Sequence, residues 1–591
     1  MEHNMILSAS GWRKVFAISG NEQDAEPRIS EDNKAISIAA AKVFYDYIKN
    51  KTNKTNPAIA LGIDTRPTGP AIADAMIHYL ATIDAVVQYC GIASAPEIMA
   101  YARQLDGFIY ISASHNPIGH NGIKFGINDG GVLNGTENAA LIKDFLALLE
   151  DEEKLLRLVK ESFNCNTNSA KNIETENVKH KSLAAYEQFI LKTITGDDKS
   201  TADDEFFTAL RSYTAKNPFG VVCDFNGSSR AKCIDRQFFN KNGISFYSIN
   251  DDQIVHEIIP EAENLVHVAA EMERLHSQGH NEVILGYMPD CDGDRGNIVY
   301  WNEKTKKSDV LKAQEVFALS VLAETAFLYW QGKINKNTKT AVVVNDPTSM
   351  RIDKICASFG IDLFRAEVGE ANVVNLAREK RQQGYTVRIL GEGSNGGNIT
   401  HPAAVRDPLN TLFALIKLLT VKDNNGKKGL FHIWCTLSGQ ESAYKNDFTL
   451  SDVILTLPVF TTTGVSEKRA VTKVTMNDHA KLKAAYQRVF EKEWIAKKSI
   501  LKDKYGILTY EAVCNNGTKE TRNVTDFSIS GKGGLKIIFK DDKKEPVAFI
   551  WMRGSGTEPV FRVMCDFKGN NEKAENELLE WHSDMIRQAQ L

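Results

Sequence analysis

The sequence predicts an α/β protein of four domains, three α/β units in series followed by a C-terminal α+β domain. Three observations carry this. Short apolar runs alternate with amphipathic helical stretches through most of the chain, and residues 456–591 switch to several strands with two helices. The 591 residues, 43% of them hydrophobic, suffice for about four domains of ~150 residues.

The first unit reads as helix 39–48, strand 58–63, helix 71–80, strand 85–89, helix 96–105 and strand 108–111. Its strands are short apolar runs, and its helices repeat apolar residues at three- and four-residue spacing. The second unit shows strands 219–224 and 283–287 around helix 266–276, and the third has strands 341–344, 363–366 and 387–390 separated by helices 350–358 and 372–381. The last has strands over 469–475, 535–539, 548–552 and 560–563, with helices 480–494 and 572–587. Domain boundaries fall at 1–185, 186–310, 311–455 and 456–591. Polar, irregular stretches at 164–176, 195–204 and 422–428 read as surface insertions or junctions.

Composition narrows the function classes. A formal net charge of -4 leaves no global basic field for nucleic acid or an anionic membrane, so any bound anion must be held by local chemistry. Nine cysteines, an odd number without a CxxC pair, read as reduced cytoplasmic thiols. The first ten residues lack a signal architecture, and the apolar run 412–421 is short and broken by Lys417, so a cytoplasmic protein without membrane contact is expected.

Four segments carry chemistry. After strand 108–111 comes Ser112-Ala113-Ser114-His115-Asn116-Pro117, then Asn121-Gly122-Ile123-Lys124. A serine at the end of a strand, beside His115 and within a loop's reach of Lys124, is placed as a covalent nucleophile; a plain turn is the competing reading. Asp290, Asp292 and Asp294 alternate just after strand 283–287. Three carboxylates this close repel unless a hard cation gathers them, and oxygen-only ligation favours magnesium. A solvated acidic turn competes, whereas a calcium loop of the EF-hand type would put its last ligand inside the strand-like segment near Asn302 and Glu303.

Gly391-Glu392-Gly393-Ser394-Asn395-Gly396-Gly397 follows strand 387–390, with Glu392 and Ser394 offering groups matched to sugar hydroxyls; an unliganded glycine turn is the alternative. Arg553-Gly554-Ser555-Gly556-Thr557-Glu558-Pro559, with Arg562 close behind, combines a guanidinium fork, hydroxyls and glycine amides in the manner of a phosphate cradle, against a structural hairpin. It lacks the Gly-Lys-Ser/Thr ending of a Walker loop.

Together and in this order, the four segments resemble those of the α-D-phosphohexomutase superfamily, and the similarity begins at Gly11-Trp12-Arg13-Lys14. The resemblance implies the family's four-domain architecture, three α/β domains plus a C-terminal α+β domain around a central cleft. It implies an isomerase, an intramolecular phosphotransferase moving phosphate between the 1- and 6-positions of a hexose through phosphorylated Ser114 and a bisphosphorylated sugar. Mg²⁺ would be held by Asp290, Asp292, Asp294 and the phosphoryl group on Ser114, with His115, Lys124, Arg13 and Arg295 positioning the group or handling protons. Glu392 and Ser394 would grip the sugar ring, and Arg553, Ser555, Gly556, Thr557 and Arg562 the non-reacting phosphate.

Two departures from the family pattern stand out. The sugar loop ends Ser394-Asn395-Gly396, lacking the Ser-Gly-His ending of the bifunctional glucose/mannose and glucosamine branches and nearer to phosphoglucomutases. Val368-Gly369-Glu370-Ala371 lacks the usual basic residue after the glycine, which makes Arg406 the candidate basic contact to substrate. Glucose phosphates are thus the leading substrate and mannose phosphates the second, with hexose 1,6-bisphosphate as activator and sugar phosphates as the only expected partners of a monomer or homodimer. A phosphomannomutase or phosphopentomutase of the same mechanism, and a non-catalytic sugar-phosphate-binding homologue, are the alternatives. A metal-dependent phosphatase would differ by releasing inorganic phosphate.

Overall fold

Ser30, followed by Glu31 and Asp32, is a strong helix start, and its side chain accepts from the Asn33 amide. The helix it opens, Glu31–Thr52, ends at Asn53 in the left-handed conformation and buries Ile36, Ala40, Phe44 and Ile48 along one face. This computed structural model describes residues 4–8, 11–164, 175–259, 262–335, 337–555 and 559–591. The chain forms two compact units, residues 1–311 with 399–413, and residues 312–398 with 414–591.

The first unit holds two sheets. One runs, in order, through Ile6–Ser8, Gly11–Val15, His120–Ile127, Gly107–Ile111, Ala58–Ile63 and Val86–Ile92. Ala58–Ile63 pairs in parallel with both Val86–Ile92 and Gly107–Ile111, as the strand-helix alternation predicts. His120–Ile127 then returns antiparallel to Gly107–Ile111. Sequence pattern assigns no strand there, because His120, Asn121 and Gly122 disguise it, so Lys124 stands on a strand rather than a loop. The largely aliphatic core beneath includes a group of buried aromatic residues, Trp12, Phe44, Phe125 and Phe145.

The second sheet runs through Lys307–Val310, Asn297–Asn302, Val283–Met288, Gly220–Asp224 and Ser245–Ile249, the last three parallel. The expected irregular stretch 164–176 falls mostly on residues outside those described; it is flanked by the helices Glu152–Asn164 and Thr175–Thr195.

In the second unit Asp362–Ala366, Thr340–Asn345 and Thr386–Gly391 form a parallel sheet. An antiparallel sheet follows, ordered Phe460–Thr462, Val560–Lys568, Pro546–Gly554, Gly534–Lys540, Thr509–Asn516 and Lys519–Arg522, with Val471–Lys473 also on Val560–Lys568. The strand expected over 469–475 is only three residues long. The helices His479–Tyr505 and Glu572–Gln588 cover this sheet through Tyr486, Phe490, Leu578 and Trp581. Among the described residues no helix is long and apolar enough to cross a membrane, and the eight described cysteines are free thiols.

Candidate active site

The buried strand Gly107–Ile111 delivers the chain to Ser112, and two residues on Ser114 takes φ 54°, a left-handed conformation that costs a serine about 1–2 kcal/mol. The surroundings hold it there. The Ser114 amide donates to Ser112 Oγ at 2.9 Å. Arg66, fully buried, donates from Nη1 to the carbonyls of Pro117 and His120 and from Nη2 to those of Ser114 and Asn116, so one guanidinium binds four carbonyls of the serine loop. Asp64 is its buried counter-ion at 3.3 Å. Burial pushes the Asp64 carboxyl up to about 6 despite that arginine. Neither Asp64 nor Arg66 is singled out by sequence reasoning, because Asp-Thr-Arg after a strand looks like any polar turn.

Three aspartates face this loop. Asp290, Asp292 and Asp294 are buried, with ligand oxygens within 4.8 Å of one another. The Ser114 hydroxyl donates to Asp290 Oδ2 at 2.6 Å, and the Ser112 hydroxyl to Asp292 Oδ2 at 3.1 Å. Lys124 donates to the same Asp292 oxygen at 2.6 Å, while Asp292 Oδ1 is buried without a hydrogen-bond partner. Burial and the two neighbouring carboxylates drive the Asp290 carboxyl well above its ordinary range. Burial acts the same way on Asp292, but Lys124 outweighs it and holds that group low. All-oxygen donors, mutual repulsion and one unused buried oxygen fit a hard divalent cation.

The positive groups lie around these acids. Arg406 Nη2 reaches Asp294 Oδ1 and Oδ2 at 3.1 and 3.2 Å, and the Arg295 amide donates to Asp290 Oδ1 at 3.3 Å. Arg13, on the strand Gly11–Val15 opposite Gly122, feels the charges of Asp292, Asp294 and Arg295. His115 Nδ1 is 3.3 Å from Ser114 Oγ. Burial first, then Arg295 and Arg13, lowers the His115 pKa to about 2, so its ring is neutral at physiological pH. The first unit therefore gathers Ser114, His115, Lys124, Arg13, Arg295, the three aspartates and Arg406.

The second unit carries the other two motifs. Glu392 Oε1 accepts from Asn345 Nδ2 at 3.0 Å and the Gly369 amide at 2.7 Å, and its Oε2 accepts from Asn395 Nδ2 at 2.9 Å. Ser394 Oγ accepts from the same Asn345 amide at 3.4 Å. Thr348 completes the arrangement, donating to Asn345 Oδ1 at 2.6 Å and accepting from the Gly393 amide at 3.0 Å. Asn345 and Thr348 are missing from the sequence-derived set; their one signal is their place at the end of strand Thr340–Asn345.

Arg553 donates through Nε to Glu367 Oε1 at 3.0 Å, two residues before Gly369, so one turn touches both loops. The Ser555 amide donates to Val560 O at 2.8 Å, and Arg562 pairs across the sheet with Arg553. His479 lies directly on Gly554, where a Cβ would come 2.1 Å from its ring. Buried Lys483 donates to the carbonyls of Gly531 and Gly533 at 3.0 and 2.6 Å. Gly556 and Thr557 lie outside the described residues.

Comparison with known proteins gives a consistent picture. Residues 17–151 match the family model of phosphoglucomutase/phosphomannomutase alpha/beta/alpha domain I, and residues 320–432 that of domain III. A phosphoglucosamine mutase of Ruminiclostridium cellulolyticum is 25% identical over 392 residues, covering 65% of this chain and 73% of the relative. A phosphoglucomutase/phosphomannomutase family protein from Burkholderia thailandensis superposes with a TM-score of 0.58 at 16% identity, covering 99% of this chain and 97% of that one. The open form of the phosphoglucomutase parafusin from Paramecium gives 0.59 at 16% identity, with 99% and 95% covered.

Proposed function

The chain belongs to the α-D-phosphohexomutase superfamily, and on that premise we propose that it interconverts hexose 1-phosphate and hexose 6-phosphate through a phosphoserine at Ser114. Glucose phosphates are the leading substrate and mannose phosphates the second. The observation that carries the reading is the 2.6 Å contact between the Ser114 hydroxyl and Asp290, which joins the candidate nucleophile to the acidic triad.

Asp290, Asp292 and Asp294 would hold Mg²⁺, which when bound supplies neutralisation of phosphoryl charge. The chain's own groups do the rest. Arg66 fixes the loop so that Ser114 Oγ is presented in one orientation, and Lys124 keeps Asp292 ionised. The P–O bond to Ser114 breaks as the free sugar hydroxyl bonds to phosphorus, and the proton of that hydroxyl leaves as Ser114 Oγ regains one. Neutral His115, 3.3 Å from Oγ, is placed to relay it. The bisphosphorylated sugar then turns and returns its other phosphoryl group to Ser114. Glu392 and Ser394 grip the ring in both orientations, and Arg553 and Ser555, with Gly556, Thr557 and Arg562 of the same segment, hold the phosphate at rest.

Glucosamine phosphates form a second reading, favoured by the names of curated relatives at 24–25% identity. Against it stands the ending Ser394-Asn395-Gly396. The test is a panel of glucose, mannose, glucosamine and ribose 1-phosphates with Mg²⁺ and a trace of hexose 1,6-bisphosphate. Conversion to the 6-phosphate of glucose, abolished by chelation and restored by Mg²⁺, is expected. Release of inorganic phosphate as the main product, or no turnover of any sugar phosphate, would overturn the proposal.

A further inference from the structure

The acidic loop is held from behind by groups with no part in the chemistry above. Ser228 Oγ donates to Asp290 O at 2.6 Å, the Ser229 amide to Cys291 O at 3.0 Å and the Ala95 amide to Asp292 O at 2.8 Å. Three successive carbonyls are thus fixed. The next residue, Gly293, has φ +69°, and a Cβ there would lie 2.5 Å from both Cγ and Cδ of Arg230. The loop rests on the aliphatic stem of that arginine.

Arg230 is itself fully buried, and its head is clamped. Nε and Nη2 donate to Asp235 Oδ1 at 3.1 and 2.8 Å, while Nη1 donates to Tyr186 OH at 3.0 Å and Asp407 Oδ1 at 3.3 Å. Tyr186 in turn donates to Asp407 Oδ2 at 2.7 Å, and Tyr287 to Asp235 Oδ1 at 2.6 Å. Asp407 follows Arg406, so residues 406–407 bind Asp294 with one side chain and the Arg230 clamp with the next. A buried charge cluster of this kind is a poor source of stability, since apolar residues of the same shape serve as well. What it secures is a fixed place for the stem.

We propose that Arg230 is the positioning residue of the metal loop, setting the spacing of Asp290, Asp292 and Asp294 through Gly293 without touching metal or substrate. This rests on reading those aspartates as metal ligands. The test compares two variants of equal charge, Arg230→Met/Asp235→Asn/Asp407→Asn, which keeps a stem, and Arg230→Ala/Asp235→Asn/Asp407→Asn, which removes it. Each is titrated with Mn²⁺ by electron paramagnetic resonance alongside a thermal melt. The Met variant is expected to bind Mn²⁺ like the wild type, and the Ala variant roughly ten-fold more weakly or worse.

Equal affinities in the two variants would overturn the role of Arg230, whereas a wild type that binds no Mn²⁺ would overturn the metal reading itself. If either triple variant does not fold, the single variants Arg230→Lys, which keeps stem and charge, and Arg230→Ser, which removes both, are compared in its place by the same titration. Equal Mn²⁺ affinity in the two overturns the proposal, and a loss of ten-fold or more confined to Arg230→Ser supports it.

Discussion

The Ser114 hydroxyl donates to Asp290 although 176 positions separate the two residues, and it does so from a left-handed backbone. A strained serine held against a buried carboxylate is a local conflict that stable folds tolerate where it serves chemistry. Ser114→Ala keeps the backbone and deletes the oxygen. Turnover should fall by roughly 10³-fold or more, with stability within about 1 kcal/mol of wild type. Hexose 1-phosphate turnover and a thermal melt check this, and substantial residual turnover would remove Ser114 from the mechanism.

Arg66 satisfies four carbonyls of the serine loop with a planar fork that lysine cannot imitate. Arg66→Lys preserves the charge opposite Asp64 yet strands at least one buried carbonyl, a loss of about 1–3 kcal/mol. The expected result is a lower melting temperature together with a lower kcat. Wild-type values for both would show that the loop keeps its shape unaided.

Asn345 orients Glu392 and Ser394 at once. Asn345→Asp replaces a donor with a carboxylate facing another carboxylate, so Glu392 should swing away from its present position. We expect kcat/KM to fall by up to about 10²-fold, mostly through KM, while Ser114 remains phosphorylatable. An effect confined to kcat would argue against a role in gripping sugar.

His582 is fully buried between Tyr486 OH at 2.8 Å and Trp551 O at 3.2 Å, and burial lowers its pKa from the usual 6.5 to about 3. The unfolded chain therefore binds a proton here between pH 6.5 and 3 that the folded chain refuses. Stability contributed by neutral His582 is complete above pH 6.5 and declines as pH falls toward 3, at most ~1.4 kcal/mol per unit. Chemical denaturation across this window should show the slope, and His582→Phe should flatten it. An identical slope in that variant would assign the acid sensitivity elsewhere.

Legible in the sequence were the alternation of parallel strands and helices, the placing of Ser114 and the aspartates after strands, and the residue types each motif offers. These follow from periodicity and from residue types that act over a few neighbours. Lys124 was legible as a group near the serine but not as a strand residue, since its polar neighbours hide the alternation. Arg66, Arg230, Asn345 and Asp407 stayed illegible because their roles lie in contacts across tens to hundreds of positions, which no local pattern encodes. Arg406 shows the same limit. Sequence offers it as a basic contact to substrate, and its contact with Asp294 follows only from the packing of residues 399–413 into the first unit. Burial is the physical reason: the strength and sign of each charge interaction depend on which groups are removed from water together, and that is settled by tertiary structure alone.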